Sequence, residues 1–208
     1  MKILTIYPQS INRRYIDEAV EALRRGEIIV YPTDTFYALG ADALNNRAVE
    51  RLCRLKGINP DKNNLSLVCS GLSQAAEYAR IDNRAFRLMK ENLPGPFTFV
   101  LPAASTLPKV FKGRRTVGVR VPDNAIAVAI AEALGNPVMT SSVPLGDGDD
   151  ALAEVSDPRA LGLRYSSTQE VTVLIDGGDG ATEGSTVVDC LDSSSPEIIR
   201  QGLGELSV

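Results

Sequence analysis

The apolar positions of the chain change period several times, and each change predicts an element. Residues 3–7 (ILTIY) form an apolar run of strand length. Residues 12–25 then place Ile16, Ala19, Val20 and Leu23 at the spacing of one helical face, with Asn12 as cap, two arginines in the last turn and Gly26 as stop. Residues 28–31 (IIVY) are apolar without alternation, which predicts a strand buried on both faces and ended by Pro32. Residues 33–40 (TDTFYALG) read as a loop or helix entrance. A second helix is expected over 46–56, a strand over 65–69, and helices over 72–79 and 83–92. Strands follow at 97–101 and 117–121, an Ala-rich helix at 125–134 and a short strand at 137–141. An acidic loop comes next, then strands at 171–175, 186–190 and 198–199, whose short connections predict antiparallel pairing. Strands separated by helices make this an α/β chain with a sheet covered on both sides, and with no linker or repeat residues 1–208 read as a single domain.

Composition narrows the chemistry. The 208 residues contain no histidine, which excludes Ser-His-Asp and Cys-His catalysis, HExxH zinc sites and the commonest neutral-pH base. Carboxylates, cations, amides, hydroxyls or groups of the substrate must therefore do the work. The net charge of −4 hides an asymmetry: residues 1–143 hold 19 basic and 13 acidic side chains, whereas residues 144–208 hold 3 and 13. A basic first two-thirds suits an anionic ligand such as a nucleotide or RNA phosphate, or else solvated helix faces. Cys53, Cys69 and Cys190 are too widely spaced for a zinc ribbon and read as buried thiols of a reducing compartment. Without a signal peptide or an apolar stretch of roughly 18 residues, a cytoplasmic location without membrane contact is expected.

Several motifs fail. There is no phosphate-binding G-x-x-x-x-G-K-[ST] sequence, and Gly146-Asp-Gly148-Asp-Asp-Ala151 would set three carboxylates against a pyrophosphate. The Asp/Gly clusters at 146–150 and 176–180 read as turns, and the metal ligands stay unknown. The basic run Lys109, Lys112, Arg114 and Arg115 around one aromatic could track an RNA backbone or be an exposed loop.

Four segments stand out: Tyr31-Pro-Thr33-Asp34-Thr35-Phe-Tyr37-Ala-Leu-Gly40, Arg54-Leu-Lys56-Gly57, Thr116-Val-Gly-Val-Arg120-Val-Pro122 and Gly184-Ser185-Thr186-Val-Val-Asp189. Most put hydroxyls or cations at a strand end, where ligand sites of α/β sheets gather, and together they describe a cationic, hydroxyl-lined pocket for an anion. With PVMTSS and a final Ile-Arg200-Gln-Gly202, these motifs resemble the YrdC-type threonylcarbamoyl-AMP synthases over about residues 10–203. The resemblance implies a YrdC-like twisted mixed sheet with helices on both faces, a basic central cavity and no C-terminal extra domain. It implies a nucleotidyltransferase that joins threonine, bicarbonate and ATP, with Mg²⁺, into threonylcarbamoyl-adenylate plus pyrophosphate for t⁶A modification of tRNA. It assigns Lys56 and Arg120 to catalysis and Thr33, Thr35, Arg120 and Ser185 to threonine. It assigns Lys56, Thr116, Ser141 and Arg200 to ATP.

Two positions depart from that family. Its synthases usually carry Lys-x-Arg after the second helix and Ser-x-Asn after the later strand, where this chain has Ile58 and Val143. A charged hydrogen bond lost costs about 1.5–3 kcal/mol and a neutral one about 0.5–1.5. Together the two amount to roughly 2–4.5 kcal/mol, on the order of 30- to 2,000-fold in transition-state binding. The pattern resembles the YciO-type branch; Arg54, Lys62 and Arg114 are the candidates for a compensating cation. Two readings follow: a weak or altered L-threonylcarbamoyladenylate synthase, or a YrdC-fold protein that binds tRNA or double-stranded RNA without adenylating threonine.

Overall fold

The computed structural model describes residues 1–59, 66–107, 113–145 and 150–207. The first half supplies β1 (Lys2–Thr5), α1 (Arg13–Arg24), β2 (Ile28–Tyr31), β3 (Ala38–Asp42), α2 (Asn46–Lys56), β4 (Ser66–Val68), α3 (Leu72–Tyr78), α4 (Asn83–Asn92) and β5 (Phe97–Pro102). The second supplies β6 (Thr116–Arg120), α5 (Ala125–Leu134), β7 (Val138–Ser142), α6 (Ala151–Ser156), α7 (Pro158–Tyr165), β8 (Val171–Asp176), β9 (Thr186–Asp189) and β10 (Glu197–Arg200). Side-chain caps fix the helix starts: Asn12, Asn45, Asp82, Asn124 and Asp157 each accept a backbone N–H of the first turn. Gly57 and Gly135 end α2 and α5 in the left-handed conformation.

All ten strands join one mixed sheet in the order β1-β8-β2-β3-β7-β4-β6-β5-β9-β10. Three expectations need correction. Residues 38–40, read as the end of a loop or helix entrance, belong to β3, a central strand antiparallel to β2 and β7. Its small residues hid it: a Cβ on Gly40 would fall 2.8 Å from the Tyr31 ring, so this strand is built to admit that ring. The stretch read as an acidic loop contains α6 and α7, the second started by Asp157 and Pro158. The late strands are not an antiparallel set. β8 runs parallel between β1 and β2, β9 runs parallel to β5, and only β9 and β10 pair antiparallel.

That last arrangement shapes the molecule. β8 and β9 lie seven positions apart in the sheet order, roughly 34 Å if it were flat. Ten peptide steps from Asp176 to Thr186 reach at most about 36 Å, yet this connection turns at Gly178, whose φ is 91°. The sheet must therefore curl, drawing its two ends together.

The two faces carry separate cores. On one, α1 and α5 pack against each other and on Ile29, Tyr31, Ala38, Val68, Val138, Val173 and Ile175. On the other, α2, α3, α4 and α7 cover Val30, Leu39, Leu67, Phe97, Phe99, Leu101, Val117, Val119 and Met139. Burying Ile16, Leu23 or Phe99 completely is worth about 1.5–3 kcal/mol each. The first face continues beyond α5 across β4, β6, β5 and β9, and there it becomes polar. Among the described residues no helix is long and apolar enough to cross a membrane.

Candidate functional site

The polar part of that face follows from strand alternation. In Thr116-Val-Gly-Val-Arg120 the side chains of Val117 and Val119 enter the core, so Thr116, Gly118 and Arg120 face the other way. In β5, Phe97, Phe99 and Leu101 are core and Thr98 and Val100 are not. Ser66 on β4, Thr140 and Ser142 on β7, and Val187 on β9 continue the same floor. Ser66 pairs with both Gly118 and Thr140, and Gly118 with Val100, so four strands meet in one row. Gly118 keeps this row open, because a Cβ there would fall 2.8 Å from Ser66 Oγ and 3.2 Å from Thr98 Cγ2.

The result is a cavity of about 620 Å³, a volume suited to a ligand of nucleotide size. Its described lining includes four cations, Lys56, Arg114, Arg120 and Arg200, and no carboxylate. Each cation is held differently. Lys56, in the last turn of α2, donates to the Ser142 carbonyl and so ties that helix to the end of β7. Burial, and then the charge of Arg164, lowers its pKa below the ordinary lysine value. Arg200 on β10 donates to the Ser185 carbonyl at 2.8 Å and to Ser185 Oγ at 3.2 Å. Ser185 Oγ is also 2.8 Å from Thr98 Oγ1. Arg120 is the most enclosed: its Nη2 donates to Asp34 Oδ1 at 2.7 Å and to Thr35 Oγ1 at 3.0 Å, while its Nε is buried without a partner. Tyr31, next to this group, donates to Thr140 Oγ1, and burial pushes its phenol up to about 12.

Most of the residues singled out in the sequence converge here. Lys56, Thr116, Arg120, Ser141, Ser185 and Arg200 all line the cavity. Thr33 and Thr35 do not; they stand behind Phe36, which does. Thr33 Oγ1 accepts the Thr35 N–H and donates to the Phe36 carbonyl, so this turn is closed from within, and Thr35 reaches the cavity only through Arg120. Of the basic run, Arg114 lines the cavity and Arg115 is exposed, whereas Lys109 and Lys112 lie outside the described residues. Val143 forms buried apolar wall, its N–H bonded to the Tyr37 carbonyl, while Ile58 is half-buried against the core. Of the suggested compensating cations, Arg54 points to Glu170 on the surface, Lys62 is outside the described residues, and Arg114 is in place.

Sequence reading missed Ser66, Thr98, Gly118, Thr140 and the Asp34–Arg120 pair. Thr98 and Gly118 carried a signal, being polar or small residues inside otherwise apolar strands. Among the described residues no group of three or more His, Cys, Asp or Glu could cage a metal ion.

Comparisons with known proteins place the chain in a family. The family model Sua5_yciO_yrdC, described as Telomere recombination, matches residues 21–202. The chain is 39% identical over 203 residues to the uncharacterized protein YciO of Escherichia coli strain K12, covering 97% of this chain and 95% of that one. The crystal structure of E. coli YciO superposes with a TM-score of 0.87 at 38% identity, covering 98% and 97%. A threonylcarbamoyl-AMP synthase of Bacillus subtilis strain 168 is 32% identical over 93% of this chain and 55% of its own length. Pyrococcus abyssi Sua5, crystallised with L-threonine, gives a TM-score of 0.84 at 30% identity over 97% of this chain and 58% of that one. A family match over most of the chain shows that this protein belongs to the Sua5/YciO/YrdC family.

Proposed function

We propose that the cavity adenylates a carbamate of threonine, consuming ATP and bicarbonate and releasing pyrophosphate. The observation that carries this reading is the lining of Lys56, Arg114, Arg120 and Arg200 without a carboxylate, over a floor of hydroxyls. Such a surface favours a polyphosphate and an amino-acid carboxylate at once. Relatives named threonylcarbamoyl-AMP synthase in Bacillus subtilis, and Sua5 bound to L-threonine in Pyrococcus abyssi, support the same substrates.

The reaction asks for no protein nucleophile. The amine of threonine captures CO₂ derived from bicarbonate and loses a proton; a carbamate oxygen attacks the α-phosphorus in line, and pyrophosphate leaves. The chain supplies position and positive charge. Lys56, with Thr116, Ser141 and Arg200, holds the nucleotide; Arg120 and Ser185 hold the amino acid, with Thr33 and Thr35 buttressing Arg120. Mg²⁺, if bound, would be held by the triphosphate oxygens and would neutralise their charge beside Lys56 and Arg200. Val143, where the family's asparagine would hydrogen-bond, makes the synthase a slow one. Of the cations on which an RNA-binding reading would rest, Arg114 lines the cavity and Arg115 is exposed.

Pyrophosphate release should require threonine and bicarbonate together and should exceed that of Lys56→Ala. Release no greater than in that variant rejects the adenylation.

A further inference from the structure

The middle residue of Thr33-Asp34-Thr35 has no part in the reaction set out above. Nor does it close the turn, which Thr33 does with its own hydroxyl. Instead both carboxylate oxygens of Asp34 reach away from the turn. Oδ1 accepts from Arg120 Nη2 at 2.7 Å, and Oδ2 accepts from the backbone N–H of Asp123 at 2.9 Å. The two side chains of this ion pair are only 6% and 7% exposed. Arg120 therefore enters the cavity as half of a neutral pair. Lys56 and Arg200 differ: they donate to the main-chain carbonyls of Ser142 and Ser185, and Arg200 also to the Ser185 hydroxyl. Among the described residues no carboxylate pairs with either side chain, so those dipoles leave a formal positive charge at each. The cavity is thus divided, with a neutral region at Arg120 and cationic ones at Lys56 and Arg200.

We infer that Asp34 is a specificity-determining residue, which reserves Arg120 for a singly charged carboxylate and turns phosphate groups toward Lys56 and Arg200. This deepens the adenylation reading and rests on it. The buried, unpartnered Nε of Arg120 marks a donor still unused when Asp34 and Thr35 are satisfied. A carboxylate that takes up Arg120 donors meets one unit of repulsion from Asp34; a phosphate dianion meets two. Asp34 thereby keeps the amino acid and the triphosphate from exchanging places. Its carboxylate acts through Arg120, and the Asp123 amide keeps it from swinging into the cavity itself.

The probes are inorganic phosphate and threonine, titrated calorimetrically into wild type, Asp34→Asn, Arg120→Gln and the double variant. Asp34→Asn should bind phosphate on the order of tenfold more tightly than wild type. Arg120→Gln, which bares Asp34, should bind it more weakly by a similar factor, and the double variant should return near wild type. Phosphate affinity unchanged or lowered in Asp34→Asn overturns the assignment. If that variant does not fold, Arg120→Gln decides: phosphate affinity equal to or above that of the double variant overturns it. The expected phosphate series with no threonine binding to wild type would remove the adenylation reading and leave the division of charge. Threonine bound by wild type with a flat phosphate series would remove the division alone.

Discussion

Gly118 offers a way to separate the cavity from the fold. It sits inside β6 between Ser66 and Val100, with its missing side chain facing the ligand space. In Gly118→Ala the new Cβ meets Ser66 Oγ at 2.8 Å, Thr98 Cγ2 at 3.2 Å and Ser66 Cβ at 3.4 Å. The closest of these is a hydroxyl that can swing away by one rotation; the Thr98 methyl must yield by a few tenths of an ångström. Against that strain, replacing a strand glycine removes about 0.5–1 kcal/mol of backbone entropy cost. Net stability should change by about 1 kcal/mol or less, a shift in Tm of roughly 2–4 °C for a chain of this size. Binding should fare worse. A single extra carbon in a fitted pocket is worth about 1–3 kcal/mol, or roughly 10- to 200-fold in affinity. Gly118→Val adds two methyls beyond that Cβ and should lose ATP binding further, with an overpacking cost of about 1–3 kcal/mol. Thermal unfolding and ATP titration on the same samples give both numbers. ATP affinity unchanged in Gly118→Ala and Gly118→Val alike would refute the claim that the nucleotide rests on this floor.

Other outcomes follow from the same geometry. Because burial and Arg164 lower the Lys56 pKa, the unfolded chain holds that proton more tightly. Stability should then rise with pH between the lowered value and the ordinary 10.5, and Lys56→Met should flatten that rise in denaturant titrations at several pH values. ATP affinity should fall over the same interval as the cation is lost. Val143→Asn should increase threonine-dependent pyrophosphate release at a cost of about 1–3 kcal/mol in stability, since the new amide enters a buried wall. Ile58→Arg alone should reduce stability, because Ile58 packs on the core; both effects are read by pairing the release assay with unfolding curves. Asn92 exchanges two hydrogen bonds with Ser207, at 2.8 and 2.9 Å. Asn92→Ala should cost about 1–3 kcal/mol and speed amide exchange across residues 201–207, measured by mass spectrometry.

How far the sequence could be read depended on how local each cause was. Helices α1, α2 and α5 were legible, because their apolar spacings, and for α1 the cap at Asn12 and the stop at Gly26, are written within about a dozen residues. β3 was not: Ala38-Leu-Gly-Ala-Asp42 has no β-branched residue, and the reason for Gly40 lies in the Tyr31, Val138 and Ile29 side chains packed on it from neighbouring strands. The separation of β8 from β9 was also invisible, since a short connection suggests a hairpin and the curl of the sheet is a property of all ten strands. In the site, Lys56, Arg120, Ser185 and Arg200 were named from motifs whose meaning came by resemblance. The floor of Ser66, Gly118 and Thr140 depends on register between strands far apart in the chain. The Asp34–Arg120 pair spans 86 positions, and nothing local announces it.

The central claim is that the divided cationic cavity makes a mixed carbamate–phosphate anhydride. Its most direct test is mass spectrometry of the nucleotides formed from ATP, threonine and ¹³C-bicarbonate. An adenylate that contains threonine and carries the ¹³C label should form, absent when either threonine or bicarbonate is omitted and lost in Arg120→Gln. ATP left intact, or AMP and ADP formed without label, would contradict it.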